Sequence, residues 1–167
     1  MKKFRILLSA LLITAAMLLS ACSGSQQAAE APPQSGEASV LPEDSILAFN
    51  NDEGSAKLVR FFEEGNVPEE ASFRYDQMGA NPEITLTDPE QIQELYELLS
   101  QVTVSGETDM SVTDCYHFVQ FKLAEDCYIH YSFEGSEIYC LGNRNYSIEN
   151  SKELFRFMSS LTRCSNE

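Results

Sequence analysis

The sequence predicts an α+β fold: a single small domain with an antiparallel sheet, a C-terminal three-stranded meander, and about three helices packed mainly on one face. Three observations carry that reading. Asp88-Pro89-Glu90-Gln91 has the form of a helix start, with an Asp cap, Pro at the first position and Gln three residues after the cap. Between Tyr116 and Leu141, three runs read as an antiparallel meander: two alternate in character as half-buried strands do, and Glu137 to Leu141 follows a Gly135-Ser136 turn signal. Apolar stripes at helical spacing flank this region, giving the order helix, two strands, helix, three strands, helix.

The folded region is expected over 44–167. Ile46, Leu47 and Phe49 fit a helical turn or a short strand equally well. Ser55 to Glu64 predicts a first helix, with Leu58, Val59, Phe61 and Phe62 apolar and Gly65 as its C-terminal stop. Ala71 to Gln77 and Glu83 to Thr87 predict two strands, the second carrying Ile84 and Leu86 at period two. The helix beginning after Asp88 buries Ile92, Leu95, Leu98 and Leu99.

In the meander, Tyr116–Leu123 and Cys127–Phe133 must match faces. A loop of Ala124, Glu125 and Asp126 therefore sets Phe121 opposite Ile129 and Val119 opposite Tyr131. Gly135-Ser136 reads as a two-residue turn, which sets Phe133 opposite Ile138 and Tyr131 opposite Cys140. Asn150 is expected to cap a last helix with Leu154, Phe155, Phe157, Met158 and Leu161 on its apolar face.

The N-terminus carries a different signal. Lys2, Lys3 and Arg5 precede a mostly apolar run from Ile6 to Leu19, shorter than the roughly 20 residues a membrane-crossing helix needs. Leu19-Ser20-Ala21-Cys22 follows, and these residues resemble the lipobox of bacterial lipoproteins. The resemblance implies a signal peptide over 1–21, diacylglyceryl (palmitate-type) modification of Cys22, cleavage before it, and anchoring on the extracytoplasmic face of the cell membrane. Residues 22–43 would then be the lipidated cysteine and a flexible tether, since Ser, Gly, Gln, Ala, Pro and Glu dominate there. Ile84 to Leu98 and Ser111 to Tyr146 also look like parts of small uncharacterised lipoproteins of Firmicutes, a likeness that implies a cell-envelope location and no defined activity.

Cleavage before Cys22 would remove three of eleven basic residues and leave eight against 26 acidic ones, a formal charge of −18 against −15 for the whole chain. Such a field repels polyanions, which excludes nucleic acid as a partner. Cys115, Cys127, Cys140 and Cys164 remain, and no pair has CxxC spacing, so neither a zinc knuckle nor a thioredoxin-like centre is indicated. The expected register separates Cys127 from Cys140 by about 13 Å, too far for a disulfide. Cys115 and Cys164 are the better pair, if one forms.

No nucleophile elbow, zinc-protease motif, P-loop, dinucleotide fingerprint or EF-hand loop occurs, so no catalytic residue, metal or cofactor is expected. The acidic pairs Glu63-Glu64 and Glu69-Glu70 read as solvated surface. His117 and His130 fall on opposite faces of one sheet and cannot share an ion. Tyr116, Phe118, Tyr128 and Tyr139 are expected on the meander face turned away from the helices, where an aromatic patch would mark a binding surface. The leading expectation is a non-catalytic interaction module meeting an envelope protein or wall component. The alternatives are an envelope enzyme or ligand-handling protein using Asp114 and His117, and a thiol- or metal-linked sensor using the distal cysteines.

Overall fold

Ser45 anchors the start of the domain: its hydroxyl donates to the Ser100 carbonyl at 2.7 Å and accepts the Leu47 amide, so the first helical turn begins against the end of a later helix. A computed structural model describes residues 41–50, 52–75, 82–112 and 115–164, apart from the Cys164 side chain. The expected signal peptide, Cys22, the tether as far as residue 40, and Asp114 lie outside the described residues.

The elements are α1 (Ile46–Phe49), α2 (Glu53–Glu63), β1 (Glu70–Tyr75), β2 (Ile84–Leu86), α3 (Pro89–Ser100), β3 (Thr103–Thr108), β4 (Tyr116–Ala124), β5 (Cys127–Glu134), β6 (Ile138–Leu141), β7 (Arg144–Glu149) and α4 (Lys152–Cys164). All seven strands join one antiparallel sheet in the order β2-β1-β4-β5-β6-β7-β3. The fold is α+β, with a larger sheet than the meander alone.

Local chemistry explains the helices. Asp88 accepts the Glu90 amide at 3.1 Å and Pro89 opens α3, as expected. Asp52 caps α2 by accepting the Ser55 amide. At the other end Asn66 N–H donates to the Phe61 carbonyl and Gly65 N–H to that of Phe62, with Gly65 at φ +77°, a Schellman stop. Asn150 does not cap α4. It sits at φ +60° and donates to Thr103, and the helix starts one residue later, with the Ser151 carbonyl accepting the Phe155 amide.

The core is one-sided. Ala71, Phe73, Val119, Phe121, Ile129, Tyr131, Phe133, Tyr139 and Ile148 face the helices, where they pack against Ile46, Leu58, Ile92, Leu95, Leu99, Leu154 and Met158. An antiparallel sheet can leave its second face to solvent in this way.

The β4–β5 register matches the expectation, with Phe121 opposite Ile129 and Val119 opposite Tyr131, but the loop is shorter than expected: Ala124 pairs with Cys127 across an irregularity after Lys122, which leaves Glu125 and Asp126 as a two-residue turn. The β5–β6 register does not. Glu134 pairs with Ile138, Phe133 with Tyr139 and Ser132 with Cys140, so Gly135, Ser136 and Glu137 form a three-residue connection. Gly135 takes φ +64° and donates to the Cys115 carbonyl, and the Ser136 carbonyl accepts the Ser151 hydroxyl. These outside partners hold the additional residue. A one-residue shift turns over every side chain of the strand. Tyr139 therefore points to the helices, and Ile138 and Cys140 point away.

Two strands were not expected. β7 follows β6 through Gly142 and Asn143, with Gly142 at φ +62°, and β3 pairs with β7 at the sheet edge. From that edge the chain returns to β4 by crossing the outer face. On the way Asn145 donates to the Met110 carbonyl (2.9 Å) and the Val112 amide donates to Glu134 (3.0 Å).

Candidate functional site

Period-two alternation on β4 and β5 puts Tyr116, Phe118, Gln120 and Lys122 beside Tyr128, His130, Ser132 and Glu134 on the outer face. Tyr116 and Tyr128 are 45% and 47% exposed, among the most exposed large hydrophobic side chains described. The crossing strap lies toward β6 and β7, beside Glu134 and Asn145, leaving the tyrosines of β4 and β5 open to solvent.

Polar groups fix the patch in place. The Ser132 hydroxyl lies 2.8 Å from His130 Nε2 and 3.0 Å from the Tyr116 hydroxyl, which is itself 3.4 Å from His130 Nε2. Gln120 Oε1 meets His130 Nδ1 at 3.4 Å. Phe118 packs against both ends of the group, with ring centroids 5.1 Å from His130 and 6.4 Å from Tyr116. Lys122 extends toward the Tyr128 ring, 6.0 Å from its centroid. Shielding from water holds the His130 imidazole below its ordinary pKa, partly offset by the Glu83 carboxylate.

Of the four aromatics expected on this face, the structure brings together Tyr116, Phe118 and Tyr128. Tyr139 is corrected: it is 1% exposed on the helix side, where its hydroxyl donates to Asn50 Oδ1 at 3.0 Å. Sequence reasoning did not find the His130–Ser132–Tyr116 group. Its signal is there in the shared parity of these residues across the β4–β5 register.

His117 and His130 occupy opposite faces, as expected. His117 is 3% exposed and stacks on Tyr75, with centroids 4.7 Å apart, beside Phe155 at 5.3 Å. Cys115, Cys127 and Cys140 are free thiols, so Cys115 is not joined to Cys164. Cys127 packs toward the core and Cys140 lies on the other face, a larger separation than distance along the strands alone implies. Burial raises the Cys140 pKa above its ordinary value. Among the described residues no three His, Cys, Asp or Glu side chains converge as a metal site would require.

No family profile matches this chain, and neither the curated proteins nor the solved structures contain a match to it. Any functional reading stands on the sequence and the geometry of this chain.

Proposed function

We propose that this chain is an exported lipoprotein, anchored to the extracytoplasmic face of the cell membrane through Cys22. In this reading its domain is a non-catalytic module that docks an envelope protein on the outer face of β4 and β5. One observation carries the docking surface. The six central positions of the patch (Tyr116, Phe118, Gln120, Tyr128, His130 and Ser132) bear no formal charge, in a chain with 26 acidic residues. Loss of charge combined with gain of aromatics characterises the centre of a protein interface. The hydrogen bonds among Tyr116, His130 and Ser132 also mean that part of the ordering cost of binding is already met.

The enzyme reading draws less support, because His117 faces the helix layer and is packed between two rings. The sensor reading draws on three free thiols distributed over both faces of the sheet.

The test is capture from native envelope extract on immobilised protein, followed by calorimetry with the purified partner. Tyr116→Ala/Tyr128→Ala should abolish capture and weaken binding by at least about a hundredfold, as loss of two central aromatics does. It should still unfold cooperatively, with a loss of no more than about 2 kcal/mol, since both side chains lie outside the core and the Tyr116–Ser132 hydrogen bond is solvent-exposed. Equal binding by the double variant would sink the proposal. Retention of wall glycan instead of a protein would reassign the partner.

A further inference from the structure

On the helix side, away from the patch, a cleft of about 560 Å³ opens between α4, the β5–β6 turn and the end of β1. Its size falls within the range of small-molecule sites. Tyr75 and Phe155 lie in its lining with ring centroids 6.1 Å apart, and Lys152, Arg156, Ser159 and Arg163 line its α4 side. Their spacing of four, three and four residues places the last four on one face of the helix.

Three basic side chains of α4 converge on this cleft in a chain with 26 acidic residues. Of the five basic side chains described elsewhere, three meet carboxylates, Lys57 with Glu53 at 2.7 Å, Lys122 with Glu70 at 3.8 Å and Arg144 with Glu107 at 3.6 Å, whereas Arg60 and Arg74 meet none among the described residues. Arg156 meets Glu153 at 2.7 Å in an exposed pair that a ligand can displace at little cost. Lys152 and Arg163 meet no carboxylate among the described residues, and both line the cleft. The hydroxyls are sorted as well. Ser151 donates to the Ser136 carbonyl (2.6 Å) and Ser160 to that of Phe157 (2.7 Å), whereas Ser159 has no hydrogen bond among the described residues. Glu137, on the turn side of the cleft, repels an anion from that wall and favours a position along the helix.

From these observations we infer that the cleft binds an elongated small molecule with an anionic group toward each end and a flat apolar middle. Lys152 and Arg163 are eleven residues apart, about 16 Å along the helix axis, so a single small anion engages only one of them. Arg156 and the Ser159 hydroxyl lie between them, the partly exposed Tyr75 ring offers contact to the apolar part, and Phe155, 4% exposed, closes the floor behind it. Carboxylate and phosphate both satisfy this donor set.

The experiment is calorimetric titration of the chain, expressed from its full coding sequence and purified in a non-ionic detergent. The probes are biphenyl-4,4′-dicarboxylate, the matching bisphosphonate, and biphenyl-4-carboxylate. Saturable binding at one site is expected, with at least one dianion about tenfold tighter than the monoanion. Whichever dianion binds more tightly identifies the anionic group. Lys152→Gln/Arg163→Gln should remove that advantage, while Arg60→Gln, an exposed cation that does not line the cleft, should preserve it. Ser159→Asp should also weaken the dianion, by repulsion at the centre of the site. Failure of both dianions to saturate would overturn the inference, as would equal affinities for the Lys152→Gln/Arg163→Gln and Arg60→Gln variants.

Discussion

Tyr128 and Tyr139 belong to the same meander, yet one hydroxyl is left to water and the other is buried with a protein partner. Tyr139 donates to Asn50, and Asn50 Nδ2 reaches the Ser55 hydroxyl at 3.0 Å, which in turn meets the Tyr131 hydroxyl at 2.9 Å. This chain of partners lets two phenols enter the core without an unsatisfied polar atom, and burial drives both tyrosines well above the ordinary range for ionisation. His130 lies on the opposite face with the contrary electrostatic consequence. Its folded-state pKa is below the ordinary 6.5, so unfolding takes up a proton between the two values. The neutral imidazole contributes fully above 6.5, and that contribution is lost as the pH falls toward the folded value. His130→Gln should therefore lose less stability than the parent when urea denaturation is compared at about pH 7.5 and about pH 5.5. Identical losses in the two proteins would rule out His130 as the titrating group.

Among the elements, α3 shows how much a short sequence motif can specify. Asp88 satisfies an amide that has no partner within the helix, and Pro89 takes the position where no donor is needed. Asp88→Ala should cost about 1 kcal/mol in chemical denaturation, and Asp88→Ser should restore most of it. Full stability in Asp88→Ala would mean that the apolar stripe alone holds this end. The β4–β5 register was equally legible, because only one face of each strand is rich in large apolar residues. Strand β6 was not: Ile138 and Cys140 on one parity and Tyr139 and Leu141 on the other are both apolar, so alternation cannot choose between them. Hydrogen bonds from the Gly135 amide to the Cys115 carbonyl and from the Ser151 hydroxyl to the Ser136 carbonyl decide the register, and they join residues far apart in sequence. β3 was hidden for another reason. Thr103-Val104-Ser105-Gly106-Glu107-Thr108 has one large apolar residue, and it becomes a strand only because β7 offers it an edge.

For the whole molecule, a one-sided core separates two surfaces with different chemistry: an uncharged aromatic patch on the sheet and a cationic cleft beside α4. Three of the four aromatics expected on the patch are there. The cleft was not, because the residues that line it come from β1, the β5–β6 turn and α4, and only their packing brings them together. Placement at the membrane has its own test. Cys22→Ser should abolish incorporation of a clickable palmitate analogue and move the protein from the membrane fraction to the soluble one; undiminished labelling would exclude Cys22 as the acceptor.

The two rims of the sheet carry a last consequence. β2 is only three residues long, and β3 has a register irregularity between Val104 and Gly106 and a Glu107–Arg144 ion pair beside it. Short, kinked or charged borders are poor templates for another chain's backbone. If the chain is tethered to a lipid surface as proposed, its copies meet far more often than they would in free solution, and these blunted borders would let them crowd together without fusing sheet to sheet.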